Sequence, residues 1–467
     1  MIQAADQAIL TPEQKNKFLQ EHQSSYDKEY GGWGTGHKRM DADNLEYAVM
    51  QAKNADADEE AMAKKTFDEG LNLLDLEWGG FYQYSDTQDW KSPHYEKLIS
   101  VQADTLRLYS LAYSAWMRPS YYEAARKTAD YVARFLTSAD GAFYASQDAD
   151  VDFQLNGYSF YSLKDEERLR LGKLPAVDTH VYARENGWMI RALAVFYDAT
   201  GEEKYLNRAL SAAKWVLANR RFSLPVRQAG AEGGSAAISG GEGGFRHDTE
   251  DHAGPYLGDT ISMGQAFLSL YESTGDRQWL LLAENAADFI QRFFTKEKDA
   301  QAGYFTGIES SETTGVFKKS VKNISENVQI ARFANKLFNS TGRSEYRSMA
   351  EAAMRFLASS GGIENHDFLT GILLSDSELG SGPLRITIVG AKDDPKAKAL
   401  HQAALGYPSV YRRVEWWDRR EGPLPNSEIN YPELAEAAAF VCAGHSCSPP
   451  FFSPEKISSS VEILRKQ

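Results

Sequence analysis

Hydrophobic positions in this chain fall into paired blocks at helical spacing. In YDATGEEKYLNRALSAAKWVL (197–217), Tyr205, Leu206, Ala209, Leu210, Ala213, Val216 and Leu217 recur every three or four residues, which predicts an amphipathic helix. YESTGDRQWLLLAENAADFIQRFF (271–294) and FNSTGRSEYRSMAEAAMRFLA (338–358) repeat the arrangement. Each block ends one helix, turns at Thr-Gly and begins a second. Gly201, Gly275 and Gly342 stand where a helix end calls for a left-handed residue. YSAWMRPSYYEAARKTADYVARFL (113–136) is a weaker copy, with Pro119 opening its second helix, where a missing N–H does no harm. The earliest copy spans 41–77 and is interrupted by the DADEE run.

A glycine-aromatic element follows each hairpin: GGFYQY (79–84), GAFYAS (141–146), GGFRHD (243–248) and AGYFTG (302–307), with GGWGTG (31–36) before the first. Helix pairs joined in this way, at intervals longer than common solenoid repeats, predict an all-α fold: an (α/α)6 toroid of helical hairpins with short β elements between them. An open α-solenoid is the alternative, and it would need end caps. RITIVG (385–390) reads as the one clear strand, with a helix over 394–405 behind it. The chain therefore divides into a toroid at 1–380 and a strand-helix segment at 381–467 that closes or caps it.

In such a ring the first helix of each pair lines the inside. Its polar residues gather near its start, in PHYEKLISVQAD (93–104), HVYARENGWMI (180–190), HAGPYLGDTISMGQ (252–265) and VKNISENVQ (321–329). If these starts face one mouth, His94, Glu96, Lys97, Asp104, His180, Arg184, Asn186, His252, Asp259 and Asn327 share a cleft. Helix N-termini favour anions and acceptors, so hydroxyl-rich or anionic ligands suit that mouth. For epimerisation beside a carbonyl, His94 and His180 are the acid–base pair, because histidine exchanges protons near neutrality. Glu96 and Asp259 then orient them, Arg184 and Asn186 grip the substrate, and Trp90, Tyr95, Lys97 and Trp188 complete its contacts. A glycosidase would need two carboxylates, from Glu96, Asp104 and Asp259, about 5–5.5 Å or about 6.5–9.5 Å apart.

Composition narrows the partners. The chain has 467 residues, 51 basic against 65 acidic side chains, and a net charge of −14, which argues against a nucleic-acid backbone as partner. No apolar run is long enough to span a bilayer. A small-molecule or glycan ligand, or a protein partner, remains. Aromatic content is 12%, and much of it falls in the glycine-aromatic elements and hairpins. The N-terminus has no basic and apolar leader, which predicts a cytoplasmic protein, or an exported one if that end was processed. Cys442 and Cys447 are compatible with a closed loop, two reduced thiols, or a metal site with His445 between them. QDADVD (147–152) only loosely resembles a calcium loop, lacking its glycine and distal glutamate. The glycine-rich stretch 229–244 reads as a solvent-exposed insertion or a lid over the mouth, and lacks the setting of a phosphate loop. No cofactor or metal is expected.

GGWGTGHK (31–38), GGFYQYSDTQDWKSPHYEKLISVQADTL (79–106), GAFYASQDAD (141–150), ENGWMIRALA (185–194), YLGDTISMGQAFLSLYESTGDRQWL (256–280), ITIVG (386–390) and VCAGHSCSPP (441–450) occur in an order that carries a family resemblance. The chain resembles the helical part of the thioredoxin-domain-containing proteins related to spermatogenesis-associated protein 20. That resemblance implies a fold similar to N-acylglucosamine 2-epimerases and six-hairpin glycosidases, and by fold analogy a carbohydrate-active enzyme. The family's thioredoxin-like domain has no counterpart in this sequence. The family's L-D-D-Y-A reads Leu257-Gly258-Asp259-Thr260-Ile261 here, so one acid of a pair is replaced by Gly258. These departures leave a second expectation, a binding or assembly subunit that kept the toroid and lost the activity.

Overall fold

The structure is a computed structural model that describes residues 5, 7–222, 243–251, 254–296, 303–308, 321–359, 369–444 and 446–465. The N-terminal helix α1 (Pro12–Ser24) begins at a capping box, in which Thr11 and Gln14 satisfy each other's backbone N–H groups. Asp41 caps α2 (Ala42–Lys53) and Asp56 caps α3 (Ala57–Gly70). The short strands β1 (Tyr84–Ser85), β2 (Pro93–His94) and β3 (Lys97–Leu98) lead into the hairpin α4 (Ile99–Trp116) and α5 (Pro119–Phe135). After β4 (Ser146–Gln147) come the short helices α6 (Gly157–Tyr161) and α7 (Asp165–Arg170), then β5 (Val177–Asp178). Three more hairpins follow: α8 (Ala183–Thr200) with α9 (Glu203–Asn219), α10 (Leu257–Thr274) with α11 (Arg277–Phe293), and α12 (Ile324–Thr341) with α13 (Ser344–Leu357).

Among the described residues, α2, α4, α8, α10, α12 and α14 (Leu369–Gly380) pack side by side, and α14 returns against α2. The ring is thus closed, and the open solenoid does not apply. Helices α3, α5, α9, α11 and α13 cover it from outside, each on its hairpin partner, while α1 covers α14. Leu10 N donates to Asp376 at 2.7 Å and Lys15 pairs with the same carboxylate at 2.7 Å, fixing the first helix to the last one of the ring. Outer helices bury one face, as α11 does through Trp279, Leu280, Ala283, Ala286, Ala287, Phe289 and Ile290. Inner helices are enclosed all round, and α10 buries almost its whole length.

The turns follow the glycine pattern. Gly201, Gly275 and Gly342 adopt φ of +73°, +68° and +73°, and each donates its N–H to the carbonyl of an aromatic residue four positions earlier. The weaker copy makes the same bond from Met117 to Tyr113, at φ +52°.

The C-terminal segment differs from the expectation of one strand. β6 (Leu384–Val389) pairs in parallel with β7 (Arg412–Trp417) and antiparallel with β8 (Ala438–Ala443), which also pairs with β9 (Ser446–Cys447). RRVEWW escapes a strand reading because its charged and aromatic side chains mask any apolar run. Helices α15 (Pro395–Leu405) and α16 (Lys456–Arg465) join this sheet around a second core of Ile386, Ile388, Leu400, Val414, Val441 and Val461. The segment lies against the C-terminal ends of the inner helices and supplies donors to their last carbonyls. Lys392 Nζ reaches Gly275 O at 2.7 Å, Gln402 Nε2 reaches Asp198 O at 3.1 Å, and Asn426 Nδ2 reaches Asn339 O at 2.7 Å. Cys442 and Cys447 are disulfide-bonded across β8 and β9. His445, His252 and most of the glycine-rich stretch lie outside the described residues.

Candidate functional site

The inner helices carry one set of polar side chains that hold the framework. Asn186 accepts from Phe143 N at 2.9 Å and donates to Phe143 O at 3.0 Å. Gln102 makes the same pair of bonds to Phe81, at 2.7 Å each, and Asn327 makes it to Tyr304, at 2.8 and 3.0 Å. Thr260 accepts from Phe245 N at 3.3 Å. Four of the five glycine-aromatic elements are thereby fastened to the next inner helix by a buried side chain, while Gly32 N of the first donates to Thr66 of the outer helix α3 at 2.9 Å. This corrects the expectation that Asn186 grips a substrate: its amide, like that of Asn327, is spent on backbone.

Lys97 and Trp90 are also framework. Lys97 Nζ is fully buried, 2.8 Å from Asp75 Oδ2 and from Gly79 O, with the Tyr131 ring 4.3 Å away. Burial pushes its ammonium down to about 8 against the pull of Asp75, a carboxylate it shares with the equally buried Arg168. Trp90 has no exposed surface and donates Nε1–H to Tyr30 O at 2.8 Å. Tyr95 stacks on Tyr161 at 5.4 Å. His94 lies flat on Tyr84 at 4.9 Å, with its Nε2 4.0 Å from Glu96, and both side chains are substantially exposed. His180 is exposed, hydrogen-bonded to Asp178 and stacked on Tyr182 at 5.7 Å. The Asp178 carboxylate raises the pKa of this imidazole. Neither histidine lines the interior of the ring. The acids of 147–152 serve turns: Asp150 accepts from Gly157 N, and Asp152 from Gln154 N and Leu155 N.

The interior holds a cavity of about 450 Å³. The starts of α2, α4 and α12 border one end, at Asp41, Ser100 and Ser325, while Tyr411 and Arg412 of the C-terminal segment line the other. Its wall carries charges from five of the six inner helices, α2, α4, α8, α12 and α14. Glu46 is held by Arg107 at 2.7 Å and by Arg332, which also pairs with Glu378 at 2.7 Å. Burial opposes ionisation of Glu46, but the two guanidinium groups hold its pKa well below the usual range. Among the described residues Arg191 has no carboxylate within ion-pair distance, and its one hydrogen bond is a 3.5 Å contact to Gln265. Burial and the neighbouring Arg107 lower its pKa to about 10.

Two carboxyl groups in the cavity are unpartnered. Asp43 and Asp104 make no hydrogen bond or ion pair with the described residues. Burial, reinforced by Asp41, pushes Asp43 up to about 7. Asp104 opens onto the cavity rather than the outer surface, and enclosure by the ring raises its pKa too. Trp188 forms an apolar patch of the wall, with the Arg184 guanidinium 5.1 Å from its ring. Of the residues expected from sequence, Asp104 and Trp188 come together here.

Asp259 and Arg184 belong to a second cluster at the starts of α8 and α10. Asp259 is 2% exposed at its side chain, accepts from Arg184 N at 2.9 Å and lies 3.0 Å from His247 Nδ1. Asp259 therefore does orient a histidine, but His247 and not His94 or His180. That bond raises the pKa of His247, and burial raises that of Asp259. Tyr182 stacks on His247 at 4.3 Å. Arg184 donates to Glu185 Oε1 at 2.8 Å. At Gly258 an added Cβ would lie 3.1 Å from Glu326 Oε1, so a carboxylate from α12 fills the space in front of the glycine. Burial pushes Glu326 up to about 7.

The closed double ring of helices is the (α/α)6 toroid of the N-acylglucosamine 2-epimerase and six-hairpin glycosidase fold. The chain's sequence homologues include proteins named spermatogenesis-associated protein 20. That of Homo sapiens is 31% identical over 142 residues, 29% of this chain and 18% of that protein. That of Mus musculus is 27% identical over 167 residues, 33% of this chain and 21% of that protein. The matched stretch thus spans about a fifth of the length of these relatives. No protein-family model matches the chain. Among solved structures, cellobiose 2-epimerase of Spirochaeta thermophila superposes with a TM-score of 0.53 at 12% identity, covering 79% of this chain and 98% of that one. Cellobiose 2-epimerase of Bacillus thermoamylovorans gives 0.53 at 11%, covering 73% and 86%. A D-mannose isomerase gives 0.51 at 14%, covering 73% and 83%. At these identities the likeness is one of fold. No described helix is long and apolar enough to cross a membrane.

Proposed function

We propose that the chain is a carbohydrate-active protein that takes a mono- or disaccharide into the central cavity and works on it with Asp43 and Asp104. The observation that carries this reading is the pair of unpartnered carboxyl groups, both raised by enclosure, in one polar cavity. A volume of about 450 Å³ suits a ligand of one or two sugar rings. Arg191 and Gln265 offer donors and acceptors to hydroxyl groups, and Trp188 offers a ring face to the apolar side of a sugar. The structural neighbours act on sugars, which supports the same substrate class here.

The chemistry follows from the protonation states. Epimerisation or isomerisation beside a carbonyl needs a base to remove a proton and an acid to return one; glycoside hydrolysis needs an acid and a carboxylate across the bond. Asp43, titrating near 7, keeps a proton in about half of the molecules in neutral solution and is the acid. Asp104, raised but facing the cationic Arg107 and Arg191, is the base. Because the acid must be protonated, turnover falls as pH rises above about 7. His94 and His180, engaged at the rim, take no part, and replacing either with alanine leaves turnover unchanged.

The test is incubation of the purified chain with a panel of aldoses, ketoses and disaccharides in D2O. NMR then reads deuterium at the carbon beside the carbonyl, or new reducing ends. Asp43→Asn and Asp104→Asn should each lower turnover by about 10²–10⁴-fold, with the helical fold retained in far-ultraviolet circular dichroism. Turnover that survives both substitutions overturns the assignment. Saccharide binding without turnover returns the chain to a binding role.

A further inference from the structure

Glu185, His247 and Asp259 place three potential ligand atoms within 4.8 Å of one another, from three separate segments. Each is held before any ligand arrives. The His247 ring is stacked on Tyr182 at 4.3 Å, and its own carbonyl accepts from Ala183 N at 3.1 Å. Asp259 is fixed by Arg184 N, and Glu185 Oε1 by the Arg184 side chain. His247 Nδ1 and Asp259 Oδ1, now hydrogen-bonded at 3.0 Å, need separate by only a few tenths of an ångström to span the about 3.4 Å edge between two ligands each about 2.1 Å from a tetrahedral ion.

A second observation concerns charge. Glu185 Oε2 is buried without a hydrogen-bond partner among the described residues, and so is Glu326 Oε2 beside it on the Arg184 side. Buried carboxylate oxygens are ordinarily met by a donor or a cation. Glu185, Asp259 and Glu326 surround one guanidinium, that of Arg184. With the imidazole neutral, as metal binding requires, and all three carboxyl groups ionised, two negative charges are left over, which one divalent ion balances.

We propose that Glu185, His247 and Asp259 form a binding site for a divalent transition-metal ion, with zinc the tightest and manganese weaker. One imidazole with two carboxylates is a mixed set that suits zinc or manganese better than magnesium or calcium, whose preferred ligands are all oxygen. Three protein ligands leave a coordination position for water, as in catalytic rather than structural zinc sites. The site is independent of the saccharide reading, because metal uptake is measured with no sugar present.

Protein stripped with chelator is dialysed against micromolar Zn²⁺, and bound metal is counted by elemental analysis. One equivalent is expected. Glu185→Gln, Asp259→Asn and His247→Ala should each weaken its binding at least about tenfold. His94→Ala and His180→Ala, at exposed histidines, should leave it unchanged. Because a buried substitution can damage the fold, Co²⁺ provides a second reading on the unaltered chain. Its visible absorption should rise to saturation at one equivalent and be displaced by Zn²⁺. Absence of a stoichiometric ion overturns the site, as does an ion insensitive to the three substitutions or lost with His94 or His180. Proton uptake by the cluster on acidification, with no metal bound at neutral pH, overturns it equally.

Discussion

Met117 occupies a left-handed backbone position, φ +52°, that three sister hairpins give to glycine. Its side chain is 65% exposed, so little packing offsets the strain. Met117→Gly should therefore stabilise the chain, by about 0.5–1 kcal/mol after the entropy lost with glycine, read as a rise in the urea midpoint. Asn186 presents the opposite case. Asn186→Leu strips partners from the buried Phe143 N–H and C=O and should destabilise by about 2–4 kcal/mol. A substrate-gripping role would leave stability intact and move only affinity. Residues of this kind show how far a sequence can be read at the level of single side chains. Asn186 and Asp259 both stand near inner-helix starts, and that placement alone marks them as important without separating fastening from chemistry. Their bond partners come from other segments, Phe143 at 43 residues for one and His247 at 12 residues for the other. His247 was within reach of the sequence, since it lies in one of the repeated glycine-aromatic elements, two residues after the fastened Phe245.

Hairpins were legible because apolar spacing, a Thr-Gly turn and an N-terminal polar residue agree locally. The inner helices hid more. Glu46, Arg107, Arg191 and Arg332 are charges inside inner helices that bury much of their length, and Glu378 is one near the end of α14. That is the signal for a polar lumen, because a surface helix has one wet face and needs no charge among its buried positions. Expectations built on helix starts looked instead at the rim. The sheet at the C-terminus was half visible for a related reason: β6 is an apolar run, while β7 packs Trp416 and carries Arg413 and Glu415 as a buried pair. Charged lumen positions also leave a trace in stability. The Asp43 carboxyl, raised to about 7 from about 4 in the unfolded chain, favours the folded state fully below pH 4, and that contribution is lost as pH rises through 7. Asp43→Asn removes this titration. Relative to the unaltered chain, the variant should gain on the order of 2–4 kcal/mol between pH 4 and pH 8, measured by urea unfolding at both ends.

At the scale of the whole molecule, closure makes the site. Helix α1 covers α14, and α14 packs against α2, so the lumen exists only when the two ends of the helical sequence meet. The C-terminal segment satisfies the last carbonyls of the inner helices and puts Tyr411 and Arg412 across that end of the lumen. Among the described residues, the starts of α2, α4 and α12 border the opposite end. This is why a carbohydrate reading rests on the lumen and not on the exposed histidines. The most direct test of that claim is calorimetric titration of the chain with a panel of mono- and disaccharides, repeated on Trp188→Ala. The account predicts one saturable site for at least one sugar, weakened about tenfold or more when the Trp188 face is removed. Binding to no sugar in the panel, or binding indifferent to Trp188, would contradict it.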